Sequence, residues 1–596
     1  MPKTTLYSII IILTFSNISF SQEIKSIHQE QSEYYSTFGF SSEKEWSDFS
    51  GVSTTQSKNF QRNSKGELTK EVFGWNPYWM GTAYYDFDYS LLSEVSYFSY
   101  EVNSTTGLPD DIHSWETTEL VDYCHNNGVK VSLTATLFSG HQTFFENPVA
   151  VENFIDSIIK LVQFRNADGI NIDFEAVASS QTDNLTNFMI TLSQRLHADV
   201  PNSRLSIAIP AVDWSGTFDV AAMNQYVDLF LIMGYEYYWS GSNPAGPGSP
   251  KNGGDLWGSY CTTRSINDYL ASGVLPEKLC LAVPYYGREW STVSNSIPSN
   301  TTSSGSSVTY KTFRNEYSDV NTVWDYNSST PVNIYNNAGS GWKQCWQNDA
   351  KSLGCKYDYI NLKKIGGIGI WALGYDGSYP ELYDMLAEKF TPSGNNICED
   401  IFSDTGGPFG QYYNNENWIY TLAPKNPVEL KMVFTDFDIE LNYDILFIYD
   451  GLDTLSTFIG AFTGTSGTQD TLISETGAFT FHFKSDVATH TEGWNAHWTC
   501  DEFTYIFSDI EIIETSEIHV YPNPFNDNIT IDFEINKTGE IDIKIYDILG
   551  RNVFYQEIEN TNNSININPV NLKSNTIYFL QIRYGNEYFT QMILKQ

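Results

Sequence analysis

Long apolar runs are scarce in this chain. One short stretch, around Ile9 to Phe15, stands out, and it is too brief to cross a bilayer, so no membrane span is expected. Basic residues are scarce as well: 33 Lys and Arg stand against 72 Asp and Glu, for a formal net charge of −39. Such a surplus repels polyanions and argues against nucleic acid and anionic membrane surfaces as partners. It suits a soluble protein acting on a neutral polymer, and it leaves carboxylates free to hold calcium. Cysteines are few and scattered. Cys124, Cys261, Cys280, Cys345, Cys355, Cys398 and Cys500 form no CxxC pair and no metal-ligand cluster, which excludes a zinc site of the usual spacing. Their odd number leaves at least one thiol unpaired, whatever disulfides export permits.

What is present is length and aromatic content. A chain of 596 residues exceeds a single core and predicts several domains. Its 39 Tyr, 37 Phe and 15 Trp serve β-sheet cores and sugar-binding platforms alike. Residues 1–21 read as a signal peptide: Lys3 precedes the apolar stretch, and Ser19-Phe20-Ser21 offers small residues before Gln22. Residues 22–66 are rich in Ser, Gln, Glu and Lys with little periodicity, and read as a linker or a loosely attached N-terminal arm.

From residue 67 to 392 short β-branched segments alternate with amphipathic ones. The strands expected are Val72–Trp75, Glu94–Tyr100, Val129–Ala135, Gly169–Phe174, Arg204–Pro210, Val227–Met233, Leu279–Pro284 and Gly367–Leu373, with helices over Val151–Phe164 and Thr182–Leu196 among the crossovers. Eight strands with crossovers predict a (β/α)8 TIM barrel. The interval from Trp290 to Tyr357 is too long for one βα unit and reads as an insertion near the cleft. Two all-β sandwich domains follow, over 396–502 and 514–596, where alternation persists without helical segments.

One octet carries the chemistry: Asp168-Gly169-Ile170-Asn171-Ile172-Asp173-Phe174-Glu175. On a strand Asn171, Asp173 and Glu175 share one face, and Ile170, Ile172 and Phe174 the other. The apolar face suits the outer helices, so the polar face points into the lumen and climbs toward the C-terminal mouth. Two carboxylates and an amide there are costly unless paired or at work.

The octet resembles the signature of glycoside hydrolase family 18, the chitinase family, with Asn171 at a position more often Asp. The resemblance implies that Glu175 is the acid that protonates the glycosidic oxygen. It implies that Asp173 orients the substrate's acetamido group, and that this group's own oxygen is the nucleophile of a retaining, substrate-assisted reaction. Like-charge repulsion from Asp173 is expected to keep the Glu175 proton on near neutral pH. Phe230-Leu231-Ile232-Met233-Gly234-Tyr235-Glu236 resembles the family's sixth strand. It implies that Tyr235 bonds the acetamido group and that Met233 lines the pocket, with Glu236 where Asp is usual. Tyr285-Tyr286-Gly287-Arg288 resembles the end of the seventh strand. Gly369 to Asp376 resembles the eighth, with Trp371 as the floor under the reacting sugar. Trp75 and Tyr97, on the first two strands, are further candidate contacts. Ser132-Leu133-Thr134-Ala135 departs from the family's Ser-x-Gly-Gly.

Residues 398–500 resemble a CUB domain through Tyr443-Asp444-Ile445-Leu446, Tyr449-Asp450-Gly451, Ser485-Asp486 and Gly493-Trp494-Asn495-Ala496. This implies a calcium site at Glu440, Asp444 and Asp486; Cys398 and Cys500 bracket the domain and are a candidate pair. Residues 514–596 resemble the C-terminal sorting domain of the type IX secretion system, through Val520-Tyr521-Pro522-Asn523-Pro524-Phe525 and Ile577-Tyr578-Phe579-Leu580. That implies export, secreted or cell-surface, with the type IX machinery as a partner. The function expected is hydrolysis of chitin or another N-acetylglucosamine polysaccharide, with no cofactor for catalysis. The alternatives are a peptidoglycan or N-glycan N-acetylglucosaminidase and an inactive chitin-binding lectin.

Overall fold

The computed structural model describes residues 25–52, 68–500 and 518–595, apart from 318–321, 326, 338–340, 378, 392–398, 408–409, 425–428 and 466–470 in the first unit and 534–538, 548–551, 561–563, 570–571, 574–575 and 585–586 in the second. The segment read as a signal peptide lies outside the described residues. The chain divides into two compact units, residues 1–501 and 502–596.

Eight parallel strands close into a barrel: β1 (Glu71–Pro77), β2 (Glu94–Val102), β3 (Lys130–Leu137), β4 (Gly169–Phe174), β5 (Arg204–Pro210), β6 (Leu229–Met233), β7 (Leu279–Pro284) and β8 (Gly367–Trp371). Each pairs with its neighbours in sequence, and β8 returns to β1. Helices including Pro148–Arg165 and Thr182–Asp199 form the outer layer. Their buried faces, such as Phe154, Ile158 and Val162 on the first, fall at helical spacing. At β4 the strand starts on Gly169 because a Cβ there would lie 2.3 Å from the Arg204 carbonyl oxygen of β5. Asp168, just before it, accepts from the Val131 N–H at 2.8 Å and meets His125 Nε2 at 2.9 Å. The first residue of the octet therefore pins β4 to β3 and takes no part in the cleft.

The long interval after β7 folds as a five-stranded antiparallel sheet of strands between Tyr286 and Trp346, flanked by the helix Tyr310–Glu316. Beyond the barrel, two four-stranded antiparallel sheets form a sandwich over 399–500, with Phe481, Phe483, Leu446 and Trp494 in its core. It packs on the barrel: Tyr413 Oη lies 2.6 Å from Thr263 Oγ1, and Lys363 faces the buried Glu416 at 3.8 Å. Cys500 is disulfide-bonded. Cys124, Cys261, Cys280, Cys345 and Cys355 are free, and Cys398 lies outside the described residues. The second unit has its own sheets of three and four strands around Phe525, Ile531, Ile543 and Leu580.

The N-terminal arm is not the loose tether its composition suggests. Residues Ile27–Ser36 form helix α1 and Glu43–Ser50 form helix α2. Ser26 caps α1 by accepting from the Gln29 N–H, and Ser42 with Glu45 makes a reciprocal capping box on α2. Both helices pack on the barrel. Trp46 is buried edge-on to Tyr78, with ring centres 5.4 Å apart, and Tyr35 stacks on Trp79 at 4.7 Å. Ser47 Oγ sits 2.8 Å from Thr82 Oγ1. Gly81, at φ 53°, gives α2 its seat, since a Cβ there would lie 2.4 Å from Ser47 Oγ.

Candidate active site

The carboxylates predicted from the octet meet at the C-terminal end of β4. Alternation along β4 puts Asn171, Asp173 and Glu175 in the lumen, one above the other, while Ile170, Ile172 and Phe174 are buried on the other face. Asn171 lies deepest. Its Nδ2 donates to Ser206 Oγ at 2.8 Å and its Oδ1 accepts from Trp75 Nε1 at 2.8 Å. Both ends of the amide are thus occupied inside the barrel, by Ser206 and Trp75 rather than by a group of the cleft. Trp75 is its partner and is fully buried. An Asp at 171 would lack the donor that Ser206 receives here.

Above them, Asp173 and Glu175 are joined by a group that sequence reasoning missed, His28 of α1. His28 Nδ1 lies 2.8 Å from Asp173 Oδ2 and makes an ion-pair contact of 3.2 Å with Glu175 Oε1. His28 Nε2 lies 2.8 Å from Tyr235 Oη. The imidazole lies over the Trp371 indole, with ring centres 3.7 Å apart and planes 29° off parallel. Phe98 and Trp75 flank it at 5.8 Å. These ligand atoms lie within 4.8 Å of one another, but the imidazole touches the carboxylate directly, and a hydrogen-bond separation leaves no place for an ion between nitrogen and oxygen.

Electrostatics follow from burial. The Glu175 carboxyl is pushed up chiefly by burial and then by Asp173, with His28 and Ser26 pulling back. The direction is the one expected, but desolvation outweighs the like charge. Burial alone would depress the His28 imidazole. Asp173 and Glu175 overcome it and hold the ring as a cation to about 9. Tyr235 is pushed far up by burial and by the same carboxylates, so it stays a neutral phenol.

The other predicted residues divide. Met233 ends β6 and is nearly buried. Tyr235 and Trp371 stand in the site as expected. Glu236 stands at φ 62° just beyond Tyr235. It accepts from Tyr286 Oη at 2.8 Å and from Arg288 Nη2 at 2.6 Å. Tyr97 is not brought to the cleft. It packs on Trp115 with ring centres 5.6 Å apart and accepts from the Ser114 N–H. On β2 it is Phe98 that reaches the site, with ring centres 5.8 Å from His28 and 4.9 Å from Trp371, and Ser96, two residues before it, meets Thr134 Oγ1 at 2.6 Å. The arm adds two further contacts. Glu30 pairs with the buried Arg288 at 2.7 Å. Gln31 Oε1 accepts from Trp371 Nε1 and Tyr375 Oη, each at 3.0 Å.

In the CUB-like sandwich, Glu440, Asp444 and Asp486 also converge within 4.8 Å. Asp444 accepts from Tyr412 Oη at 2.5 Å and from the Asp486 N–H at 2.8 Å. Glu440 Oε2 is enclosed with no hydrogen-bond partner, and its carboxyl is pushed up by desolvation and by Asp486 and Asp444.

With this geometry in place, comparison with known proteins gives three matches along the chain. Residues 17–376 match the family described as "Glycosyl hydrolases family 18", residues 398–498 match "CUB domain", and residues 519–596 match "Secretion system C-terminal sorting domain". Among curated proteins, the chain is 27% identical over 244 residues to "Putative sporulation-specific glycosylase YdhD" of Bacillus subtilis, covering 39% of this chain and 53% of that protein. It is 22% identical over 319 residues to "Cortical fragment-lytic enzyme" of Bacillus anthracis (50% and 69%), and 23% identical over 307 to human "Di-N-acetylchitobiase" (46% and 76%). The chain thus spans about half the length of the first of these relatives. Among solved structures, the family 18 chitinase of Cycas revoluta in complex with (GlcNAc)3 aligns at TM-score 0.48 and 18% identity, over 54% of this chain and 99% of that one.

Proposed function

The chain belongs to glycosyl hydrolases family 18, and from that premise we propose that it hydrolyses the β-1,4 links of an N-acetylglucosamine polymer, chitin foremost, by a retaining, substrate-assisted route. The observation that carries the reading is the pair at the end of β4: a buried Glu175 whose carboxyl is pushed up, two residues beyond Asp173 on the same face. In the reaction Glu175 gives its proton to the glycosidic oxygen as that bond breaks. The acetamido oxygen of the same sugar closes on the anomeric carbon, and the oxazolinium cation so formed is held by Asp173 and Tyr235 over Trp371. Glu175, now a carboxylate, takes a proton from the water that opens the ring from the face the leaving group departed. Trp214, 74% exposed on the loop after β5, offers an apolar platform for further sugars of a polymer.

The test is turnover of chito-oligosaccharides by the purified protein, with the anomer of the first product read by NMR. A β product supports the route, and an α product, or no cleavage by any form of the protein whether the N-terminal arm is intact or weakened, rejects it. A second reading, a peptidoglycan N-acetylglucosaminidase, is favoured by Glu236 at the position usually Asp and by the cortical fragment-lytic relative. Cleavage of purified peptidoglycan without cleavage of chitin would establish it. A sugar-binding lectin without hydrolysis is disfavoured by the retention of Glu175.

The C-terminal sorting domain indicates secretion and cell-surface localisation; we assign the route to the type IX machinery. Glu440, Asp444 and Asp486 are proposed to hold calcium, a hard cation that takes oxygen ligands. The enclosed, unpartnered Glu440 Oε2 fits that role. The ion would fix one end of the sandwich and take no part in hydrolysis.

A further inference from the structure

We propose that residues 26–36 form an intramolecular inhibitor that occupies the sugar position over Trp371, so that the chain with its arm docked is latent. This rests on the family 18 reading of the cleft and assigns its regulation. Every group that reading reserves for the reacting sugar is taken by the arm. The place of the acetamido group, between Asp173 and Tyr235, is filled by the His28 ring, which touches both at 2.8 Å. The floor, Trp371, is covered by the same ring at 3.7 Å, and its indole N–H is spent on the Gln31 carboxamide. The acid, Glu175, faces the imidazolium and is 8% exposed. Asp173 and Trp371 have no exposure at all. The docked α1 therefore stands where the reacting sugar would bind, over Trp371 and against Asp173.

The fit is that of a built ligand rather than a chance contact. The charge is complementary, with the imidazole Nδ1 facing the Asp173 carboxylate at 2.8 Å and the Glu175 carboxyl at 3.2 Å, and burying a cation there is tolerable only because such partners are present. Glu30 adds a second ion pair, to Arg288, which also holds Glu236. None of the three cleft-side contacts is needed to hold the barrel together, whose own hydrogen bonds run from β1 to β8. The seat of the arm lies elsewhere, in α2, where Trp46 and Ser47 pack on residues 78–82. Tyr35 of α1 adds to that seat by stacking on Trp79 at 4.7 Å, while the blocking falls to His28, so seat and block can be weakened by separate substitutions.

The experiment uses full-length variants. His28→Ala removes the blocking ring, and Trp46→Ala loosens the seat without touching the cleft. Each is expected to lower KM for chito-oligosaccharides about tenfold or more with kcat little changed, because a tethered competitor raises apparent KM alone. A fall in kcat in His28→Ala, with the fold intact by circular dichroism, would overturn the proposal by making the imidazole part of the chemistry. An unchanged KM in both variants would overturn it too. If no form cleaves any N-acetylglucosamine polymer, the functional reading fails instead, and hydrogen exchange decides the seating. Protection of amides 27–36 that is lost in Asp173→Asn upholds the docked arm. Unprotected amides there in the unmodified chain refute it.

Discussion

Two clusters of acidic side chains among the described residues of the first unit, one in the barrel and one in the CUB sandwich, are resolved in opposite ways. Asp173 and Glu175 close around a protein cation, His28, at 2.8 and 3.2 Å. Glu440, Asp444 and Asp486 meet hydroxyl and amide groups, Tyr412 and the Asp486 N–H among them, and leave Glu440 Oε2 without a partner. A like-charged cluster must find a cation or hold a proton. The CUB cluster, partly open at the edge of a sandwich, can take its cation from solution. The catalytic cluster, sealed at the bottom of a cleft, takes it from its own chain and gives it up only when the arm moves.

That contrast can be broken most strongly at Glu175. Glu175→Gln keeps the shape and removes the proton, and kcat is expected to fall about 10²–10⁴-fold, measured on an activated aryl chitobioside and on chitotetraose. A loss of less than tenfold on chitotetraose would mean another group supplies the acid. Next in size is the pH dependence of docking. His28 titrates at 6.5 when free and about 9 when docked, facing Asp173 and Glu175 from β4, Tyr235 beyond β6 and the uncharged Trp371 and Phe98. A folded pKa raised above the free value contributes docking free energy that is complete below about 6.5 and is lost as pH climbs through 9. Protection of α1 relative to α2, corrected for intrinsic exchange, should fall on the order of a hundredfold between pH 6.5 and 9.5. A ratio that stays constant would show that His28 is uncharged when docked.

How much of this could be read beforehand depends on what each residue's role needed. The eight barrel strands were legible because apolar alternation bounded by helical segments is written locally, and β4, β5 and β7 appear with the bounds expected of them. Glu175, Asp173, Tyr235 and Trp371 came from short motifs on single strands. Tyr97 misled because β2 is buried on both faces, so its phase was invisible. Asn171 was read as a contact with substrate, yet its partners Trp75 and Ser206 lie on other strands. The arm was missed because Ile27, Tyr35 and Trp46 are diluted among Ser, Gln and Glu, and because His28 and Asp173 are 145 residues apart. One local signal was present, the Ser42-x-x-Glu45 capping box, which announces a helix but not where it docks.

Two smaller measurements sharpen the same contrast. Asn171→Asp adds a third carboxylate beneath Asp173 and loses the donor to Ser206, so it should cost about 1–3 kcal/mol of stability and move the alkaline limb of the pH–rate profile upward, since a further negative charge raises the Glu175 carboxyl. An unmoved limb would mean the lumen charge is screened from Glu175. Removing calcium with a chelator should lower the stability of the CUB sandwich by about 1.4 kcal/mol relative to calcium at ten times its Kd, read by thermal denaturation, and Asp444→Asn should erase the difference. The same melting curve with and without chelator in the unmodified protein would exclude the site.

The covalent tie between α1 and the barrel alters what a substrate must overcome. A tethered segment faces its site at an effective concentration in the millimolar range, however dilute the protein. Even contacts that would bind a free peptide weakly can therefore keep the cleft mostly filled, and dilution at the cell surface does not empty it. The apparent affinity for a soluble sugar is divided by the closed-to-open ratio. A polymer that presents many sugars at one surface is better placed than a single oligosaccharide to win that competition, so the arm sets a threshold on local substrate density as well as a brake on turnover.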